Sequence, residues 1–235
     1  MKVAALYDIH ANLRALEAIL AEVGDVDLIL IGGDTVWGPM PRETMDLLFE
    51  LDVPTTWIMG NADRDVFDRV DGSWKESNDW CADRLTAEHL EFLRTRPATA
   101  SIDGILYCHG SPRNDTDHIT VGTPLERLAA WCEGVDESLV VCGHTHAQFE
   151  RFVPPHRIVN PGSVGNPFGD RGAYWAMFGP GIDLRFTAYD VDAAAREIEA
   201  TGFPYAPTMA SNITSVSTAR DAAKWFGAAK RGDVD

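Results

Sequence analysis

Apolar residues along the chain fall into two alternating rhythms. Short runs rich in Val, Ile, Leu and aromatics occur at Lys2–Tyr7, Asp27–Ile31, Thr55–Met59 and Ile105–Cys108, and a fifth ends in Val140-Val141-Cys142. Each is stopped by Gly or a polar residue, as strands are. Between the first runs the spacing becomes helical. Leu13, Leu16, Ile19, Leu20 and Val23 follow Asn12, a good cap, and Arg42–Leu51 repeats the pattern. This β-α-β alternation predicts a layered α/β fold. Residues 64–96 read as largely helical, with Thr86 as a cap. Asp103-Gly104 predicts a hairpin turn inside Ser101–Cys108. Thr123-Pro124-Leu125-Glu126 reads as a capping box that opens a helix to about Cys132.

After His146 the rhythm changes. Phe149–Val153, Arg157–Val159, Ala173–Phe178 and Ile182–Tyr189 read as successive strands separated by Pro and Gly, which predicts a second, antiparallel sheet. Val191–Ala200 reads as a helix. Gly and Pro then predict a loosened, exposed segment over 201–215. A final helix is expected over Ser217–Ala229, and fraying over Arg231–Asp235. No repeat or linker divides the chain, so 1–235 reads as one domain, with a core over 1–190 and a C-terminal helical extension over 191–235.

The strand-like runs end in residues with chemistry. The first ends in Asp8-Ile9-His10, the second in Gly32-Gly33-Asp34, the third in Gly60-Asn61-Ala62-Asp63. The fourth ends in His109-Gly110, the fifth in Gly143-His144-Thr145-His146. Ligands of open α/β sheets gather beyond the carboxyl ends of the strands, so Asp8, His10, Asp34, Asn61, His109, His144 and His146 are expected on one rim. In extended backbone His144 and His146 would point to the same side. Four imidazoles, two carboxylates and one carboxamide oxygen are too rich a set for one structural zinc. They suit two borderline divalent ions, manganese first, with Fe, Zn, Ni or Co as alternatives. A negative ligand should bridge two such cations, and Asp34 is the candidate. Two metals ~3.5–4 Å apart can clamp a phosphoryl group and turn a bridging water into a hydroxide nucleophile.

Bulk properties narrow the partners. Net charge is −16 over 235 residues, which argues against non-specific nucleic-acid binding. An anionic substrate would need local positive charge, and a pair of cations would supply it. No window approaches ~18 consecutive apolar residues, so no membrane span is expected. The N-terminus lacks a signal-peptide pattern, and Cys81, Cys108, Cys132 and Cys142 are widely spaced, read as buried thiols of a cytoplasmic protein.

Asp8-x-His10, Gly33-Asp34, Gly60-Asn61-x-Asp63, His109-Gly110 and Gly143-His144-x-His146 together resemble the calcineurin-like metallophosphoesterase superfamily. Asp8-Ile9-His10-Ala11-Asn12-Leu13, His109-Gly110-Ser111-Pro112 and Asn160-Pro161-Gly162-Ser163-Val164-Gly165 are similar to its small bacterial and archaeal phosphodiesterase-like branch. The resemblance runs from residue 1 to about 190. It implies a four-layer α/β/β/α sandwich with two mixed sheets flanked by helices. It also implies one metal on Asp8, His10, Asp34 and His146, and another on Asp34, Asn61, His109 and His144. Asp34, Asn61 and His109 then carry catalytic roles, and Asn12 supports the first loop near the substrate. Gly162 and Ser163 lie close behind the site, in a tight turn or touching substrate.

The resemblance implies a phosphodiesterase acting on phosphodiester or phosphoanhydride bonds. A dinucleoside polyphosphate hydrolase, a phosphomonoesterase and a non-catalytic metal- or nucleotide-binding module are the alternatives. Many members carry a His directly after the Asn, paired with an Asp three residues after the bridging Asp, to protonate the leaving group. Here those positions are Ala62 and Trp37. That departure implies activated leaving groups. His118 could replace the acid, although it reads first as a solvated loop residue. Arg64, Arg113 and Arg171 flank the motifs as candidate phosphate or nucleotide contacts. Trp37, Phe67, Trp74 and Trp80 read first as helix-packing residues, and secondly as an aromatic wall for a base. The last helix and segment 201–215 are compatible with a homodimer.

Overall fold

The computed structural model describes residues 1–229. Its strands form two five-stranded mixed sheets rather than one parallel sheet followed by an antiparallel one. The first sheet contains β1 (Val3–Leu6), β2 (Leu28–Ile31) and β3 (Thr55–Trp57), all parallel, as the helices between them require. Those helices are α1 (Leu13–Glu22) and α2 (Pro41–Phe49). After β3 come three helices, α3 (Asn61–Phe67), α4 (Lys75–Ala82) and α5 (Ala87–Arg94), the first starting three residues before the expected 64–96 stretch. Asn12 and Thr86 cap α1 and α5 as expected, accepting from Ala15 and His89 backbone N–H groups.

The second sheet has the order β4-β5-β6-β8-β7. Its members are β4 (Thr99–Ile102), β5 (Ile105–Cys108), β6 (Leu139–Val141), β7 (Phe149–Val153) and β8 (His156–Asn160). The predicted turn joins β4 to β5, with positive φ at both Asp103 and Gly104 as a tight two-residue hairpin needs. The strands after His146 divide between the sheets. β7 and β8 stay in the second, while β9 (Ala173–Phe178) and β10 (Ile182–Thr187) cross to the first, where β9 pairs antiparallel with β1. Periodicity identifies such strands without saying which edge each joins.

Val3, Ala5, Tyr7, Leu28 and Leu30 of the first sheet pack on Tyr107, Val141 and Val159 of the second. Helices cover the outer faces, with Leu16, Ile19, Met45 and Ile198 against the first sheet and Leu128 and Trp131 of α6 (Leu125–Trp131) against the second. The result is the four-layer α/β/β/α sandwich. All four cysteines are free and buried. Among the described residues no helix is long and apolar enough to cross a membrane.

Two local expectations fail. The Thr123 side chain does not cap α6. Its Oγ1 accepts from Thr120 N–H instead, and Pro124 stands at the cap position. Segment 201–215 is not a loose exposed stretch. It follows α7 (Val191–Ala200) and contains α8 (Ala206–Thr214), with Pro207 in the first turn and Met209, Ala210 and Ile213 buried. Proline is at home in a first turn, where its missing N–H would have no partner anyway. The last helix, α9, spans Ala219–Ala229. The fraying expected over Arg231–Asp235 lies outside the described residues.

Candidate metal centre

Strand direction assembles the site. β1, β2 and β3 run parallel in one sheet and β5 and β6 run parallel in the other, so their carboxyl ends bring all seven expected residues to one rim. Backbone hydrogen bonds tie the loops together: Asp8 N–H to Gly33 O (3.1 Å), His10 N–H to Asp34 O (2.9 Å) and Gly143 N–H to His109 O (2.7 Å). Asp8, His10, Asp34, His144 and His146 all have positive φ, an uncommon state outside glycine that clusters at functional sites. Close packing leaves no alternative at Gly60, where a Cβ would lie 2.1 Å from Asp34 N and 2.3 Å from Asp34 Oδ1.

The donors form two groups. Asp8, His10, Asp34 and His146 make one, and Asp34, His109 and His144 the other, with ligand atoms in each within 4.8 Å of one another. Asp34 belongs to both. Its Oδ1 accepts from Ala62 N–H (2.8 Å), while Oδ2 lies 3.3 Å from His109 Nε2 and 3.9 Å from His10 Nε2. The His144-x-His146 pair is not extended, with φ of 65° and 54°. His146 falls in the first donor group and His144 in the second, the division that the resemblance implies.

The imidazoles are oriented for metal. His10, His109 and His146 donate through Nδ1 to the carbonyls of Trp37 (2.9 Å), Gly32 (2.8 Å) and Asn166 (2.8 Å), which turns each Nε2 inward toward the other donors. His10 Nε2 and His146 Nε2 stand 3.0 Å apart. His144 Nε2 is buried without a hydrogen-bond partner. The Asn61 oxygen faces His144 Nδ1 at 2.8 Å, His109 Nε2 at 3.2 Å and the Asp115 carbonyl. In this orientation the oxygen is placed as a further ligand; with the amide turned over, its nitrogen would donate to the same three atoms. The donor set therefore fits a metal pair.

Electrostatics agree. Burial pushes the imidazoles of His10, His144 and His146 down, His146 to about 3 with His10 beside it. These three are neutral and ready to ligate. Burial also acts on Asp34, but His109, His10 and His144 outweigh it and hold the carboxyl well below its usual range. Burial likewise opposes charge on His109, yet the Asp34 and Asp8 carboxylates raise it to about 10. A metal held there would have to displace that proton.

Asp63 supports the site from beneath. It is 1% exposed, and its Oδ1 accepts from Thr35 N–H (2.8 Å) and Val36 N–H (2.9 Å), fixing the loop after Asp34. Burial and the Asp34 charge raise its carboxyl to about 7. Asp63→Ala leaves two buried N–H groups unpaired and should cost about 2–4 kcal/mol, with metal affinity weakened about 10–100-fold. Asp63→Asn keeps an acceptor there and should lose far less. Thermal melts with and without Mn²⁺ check this, and equal behaviour of the two variants would refute it.

Not every candidate reaches the site. Asn12 is fully buried, and its amide donates to Gly165 O and Tyr189 Oη, so it braces the first loop without facing substrate. Ser163 is likewise buried, its Oγ donating to Asp8 O, so the Gly162-Ser163 turn braces the first loop. Arg64 pairs with Asp115, Arg171 with Asp192, and Arg113 donates to Ala130 O. None of the three arginines lines the cleft over the rim, and among the described lining residues there is no lysine or arginine.

The cleft holds residues the sequence did not single out, including Asn166, Phe168, Tyr205, Trp225 and Phe226. His118 is there too, stacked on His144 with ring centroids 5.0 Å apart, rather than solvated in a loop. Trp37 and Trp74 line the cleft, whereas Phe67 and Trp80 pack against the core as read. Only the tertiary path of the C-terminal helices could have located Tyr205, Trp225 and Phe226.

A family profile for the calcineurin-like phosphoesterase superfamily domain matches residues 1–179. The chain belongs to the calcineurin-like phosphoesterase superfamily. It is therefore a metal-dependent phosphoesterase, with clustered Asp and His donors able to hold metal. It is similar to a metallophosphoesterase from Sphaerobacter thermophilus, 28% identical, with a TM-score of 0.77 over 91% of this chain and 98% of that one. The fold also matches hypothetical protein PH1004 from Pyrococcus horikoshii OT3, at 20% identity and a TM-score of 0.79 over 92% and 99% of the two chains. In sequence this phosphoesterase is 26% identical to the uncharacterized protein MJ0912 of Methanocaldococcus jannaschii, over 86% of its own length and 93% of the relative's.

Proposed function

We propose that this phosphoesterase is a phosphodiesterase that uses two divalent cations, manganese first, and prefers phosphodiester or phosphoanhydride bonds with acidic leaving groups. The observation that carries the reading is the pair of donor groups sharing Asp34. Asp8, His10, Asp34 and His146 would hold one cation, and Asp34, Asn61, His109 and His144 the other. Bound there, the pair supplies charge stabilisation at the phosphoryl group and a water of lowered pKa. The chain's own part is to keep the Nε2 atoms of His10, His109 and His146 inward and the Asp34 carboxylate ionised. The cations would also offset, locally, the repulsion of an anionic substrate by a chain of net charge −16.

The leaving-group preference rests on Ala62 and Trp37, which line the cleft where relatives of the usual pattern carry a His–Asp pair. Neither side chain is an acid, and His118, the other candidate, is stacked on His144 at 5.0 Å and packed against Phe226 at 4.7 Å. General acid catalysis contributes about 10²–10⁴-fold, and its loss matters most for alkoxides. With added Mn²⁺, kcat/KM for a bis-aryl phosphate should exceed that for a simple alkyl monophosphate by about 10²-fold or more. Equal or faster turnover of the alkyl monoester would overturn the preference. No metal-dependent turnover of any aryl ester or anhydride would overturn the activity.

A further inference from the structure

The cleft above the rim has a volume of about 430 Å³, within the range of small-molecule sites, and its walls are aromatic. Beside His10, Trp37 meets Trp74 and Tyr205 with ring centroids 5.4 Å away in each case, and Trp74 meets Tyr205 at 5.0 Å. Beside His144, Phe226 packs on His118 and on Trp225, each at 4.7 Å. One aromatic cluster thus flanks each donor group.

Three features point to a ligand. Trp74 and Trp225 are each 43% exposed, although large aromatic surface at the mouth of a cleft is unfavourable unless something covers it. Asn78, 2% exposed, lines the same cleft, and its Oδ1 has no hydrogen-bond partner, so an acceptor is available to a ring N–H. Finally, Tyr205, Thr208, Asn212, Trp225 and Phe226 all lie beyond residue 179, where the superfamily domain match ends. These wall residues lie on the segment that follows the matched domain.

The geometry points to a specificity wall: Trp74 and Tyr205 on the His10 side, and Trp225 and Phe226 of α9 on the His144 side, hold a planar aromatic group carried by the phosphorylated substrate. This rests on the phosphoesterase activity proposed above. Aromatic side chains accept any π-face, so the shared chemistry is a flat ring on a phosphate, from a nucleobase or from a phenol.

Calorimetric titration of the full-length Mn²⁺-loaded protein tests this, using AMP, phenylphosphonate (a phenyl phosphate analogue whose C–P bond is not hydrolysed), ribose 5-phosphate, adenosine and inorganic phosphate as probes. At least one of AMP and phenylphosphonate should bind about tenfold or more tightly than ribose 5-phosphate. The tighter of the two identifies the source of the ring. Trp225→Ala and Trp74→Ala should each weaken that aromatic ligand about tenfold more than inorganic phosphate. Both side chains are partly exposed, and unchanged melting temperatures would show the variants folded. The wall is overturned if neither AMP nor phenylphosphonate binds more tightly than ribose 5-phosphate, or if the difference survives both substitutions. If inorganic phosphate fails to bind while adenosine still does, the phosphoesterase reading falls and the aromatic wall stands.

Discussion

Asp34→Asn should reduce metal-dependent turnover by about 10³-fold or more and lower the metal content from two ions per chain. The substitution is nearly isosteric. A carboxamide oxygen can still accept from Ala62 N–H, now 2.8 Å from Asp34 Oδ1, so the loop should keep its shape. What disappears is the negative charge on Oδ2, the atom that faces His109 at 3.3 Å and His10 at 3.9 Å. That oxygen is the one shared point of the two donor groups, and two cations held close together repel unless an anion lies between them. A substitution in one group alone provides the contrast. His146→Asn should weaken one ion and leave His109, His144 and Asn61 to hold the other. Metal analysis after dialysis, paired with aryl phosphodiester assays, reads both effects. Two ions retained by Asp34→Asn would refute the bridging role.

The ligands were legible because each follows an apolar run that can only be a strand, and parallel strands send their carboxyl ends the same way. Asp8, Asp34, Asn61, His109, His144 and His146 need no further information to be gathered. The resemblance divides His144 and His146 between two metals as the donor groups do, but their backbone conformation was not legible. His144 and His146 have φ of 65° and 54°, and nothing in a Gly-His-Thr-His string distinguishes that from extended backbone. Arg64, Arg113 and Arg171 were misplaced because proximity in sequence says nothing of competing partners. Asp115, the Ala130 carbonyl and Asp192 take them instead. Helix α8 was hidden by Gly202 and Pro207, read as breakers when they mark a turn and a helix start. The second sheet was legible as strands but not as topology, since β9 and β10 join the first sheet only after the chain has crossed the sandwich.

Gly165→Ala should be the most damaging change outside the ligands themselves. A Cβ at this position would lie 1.8 Å from Ile9 O and 2.7 Å from Ile9 C, and the obstructing atoms are backbone, which cannot swing aside. The Ile9 segment has no slack to offer. Asp8, His10 and Ala11 already have positive φ. The loop is pinned on one side by Asp8, His10 and Ala11 N–H bonds to Gly33, Asp34 and Thr35 carbonyls. On the other, Gly165 N–H donates to Asp8 O at 3.0 Å and Asn12 Nδ2 donates to Gly165 O at 2.9 Å. Either the loop moves, displacing Asp8 and His10, or the 160–166 turn lifts away and breaks both bonds. The expected loss is about 3 kcal/mol or more, a fall in Tm of roughly 6–12 °C. Weaker binding of the cation that Asp8, His10 and His146 would hold should accompany it, by about 10–100-fold. Gly181→Ala is the matched control, since a Cβ there meets nothing within 4 Å and should leave both quantities unchanged. A Gly165→Ala protein that melts with the parent and keeps its metal content would show that the loop yields where its hydrogen bonds say it cannot.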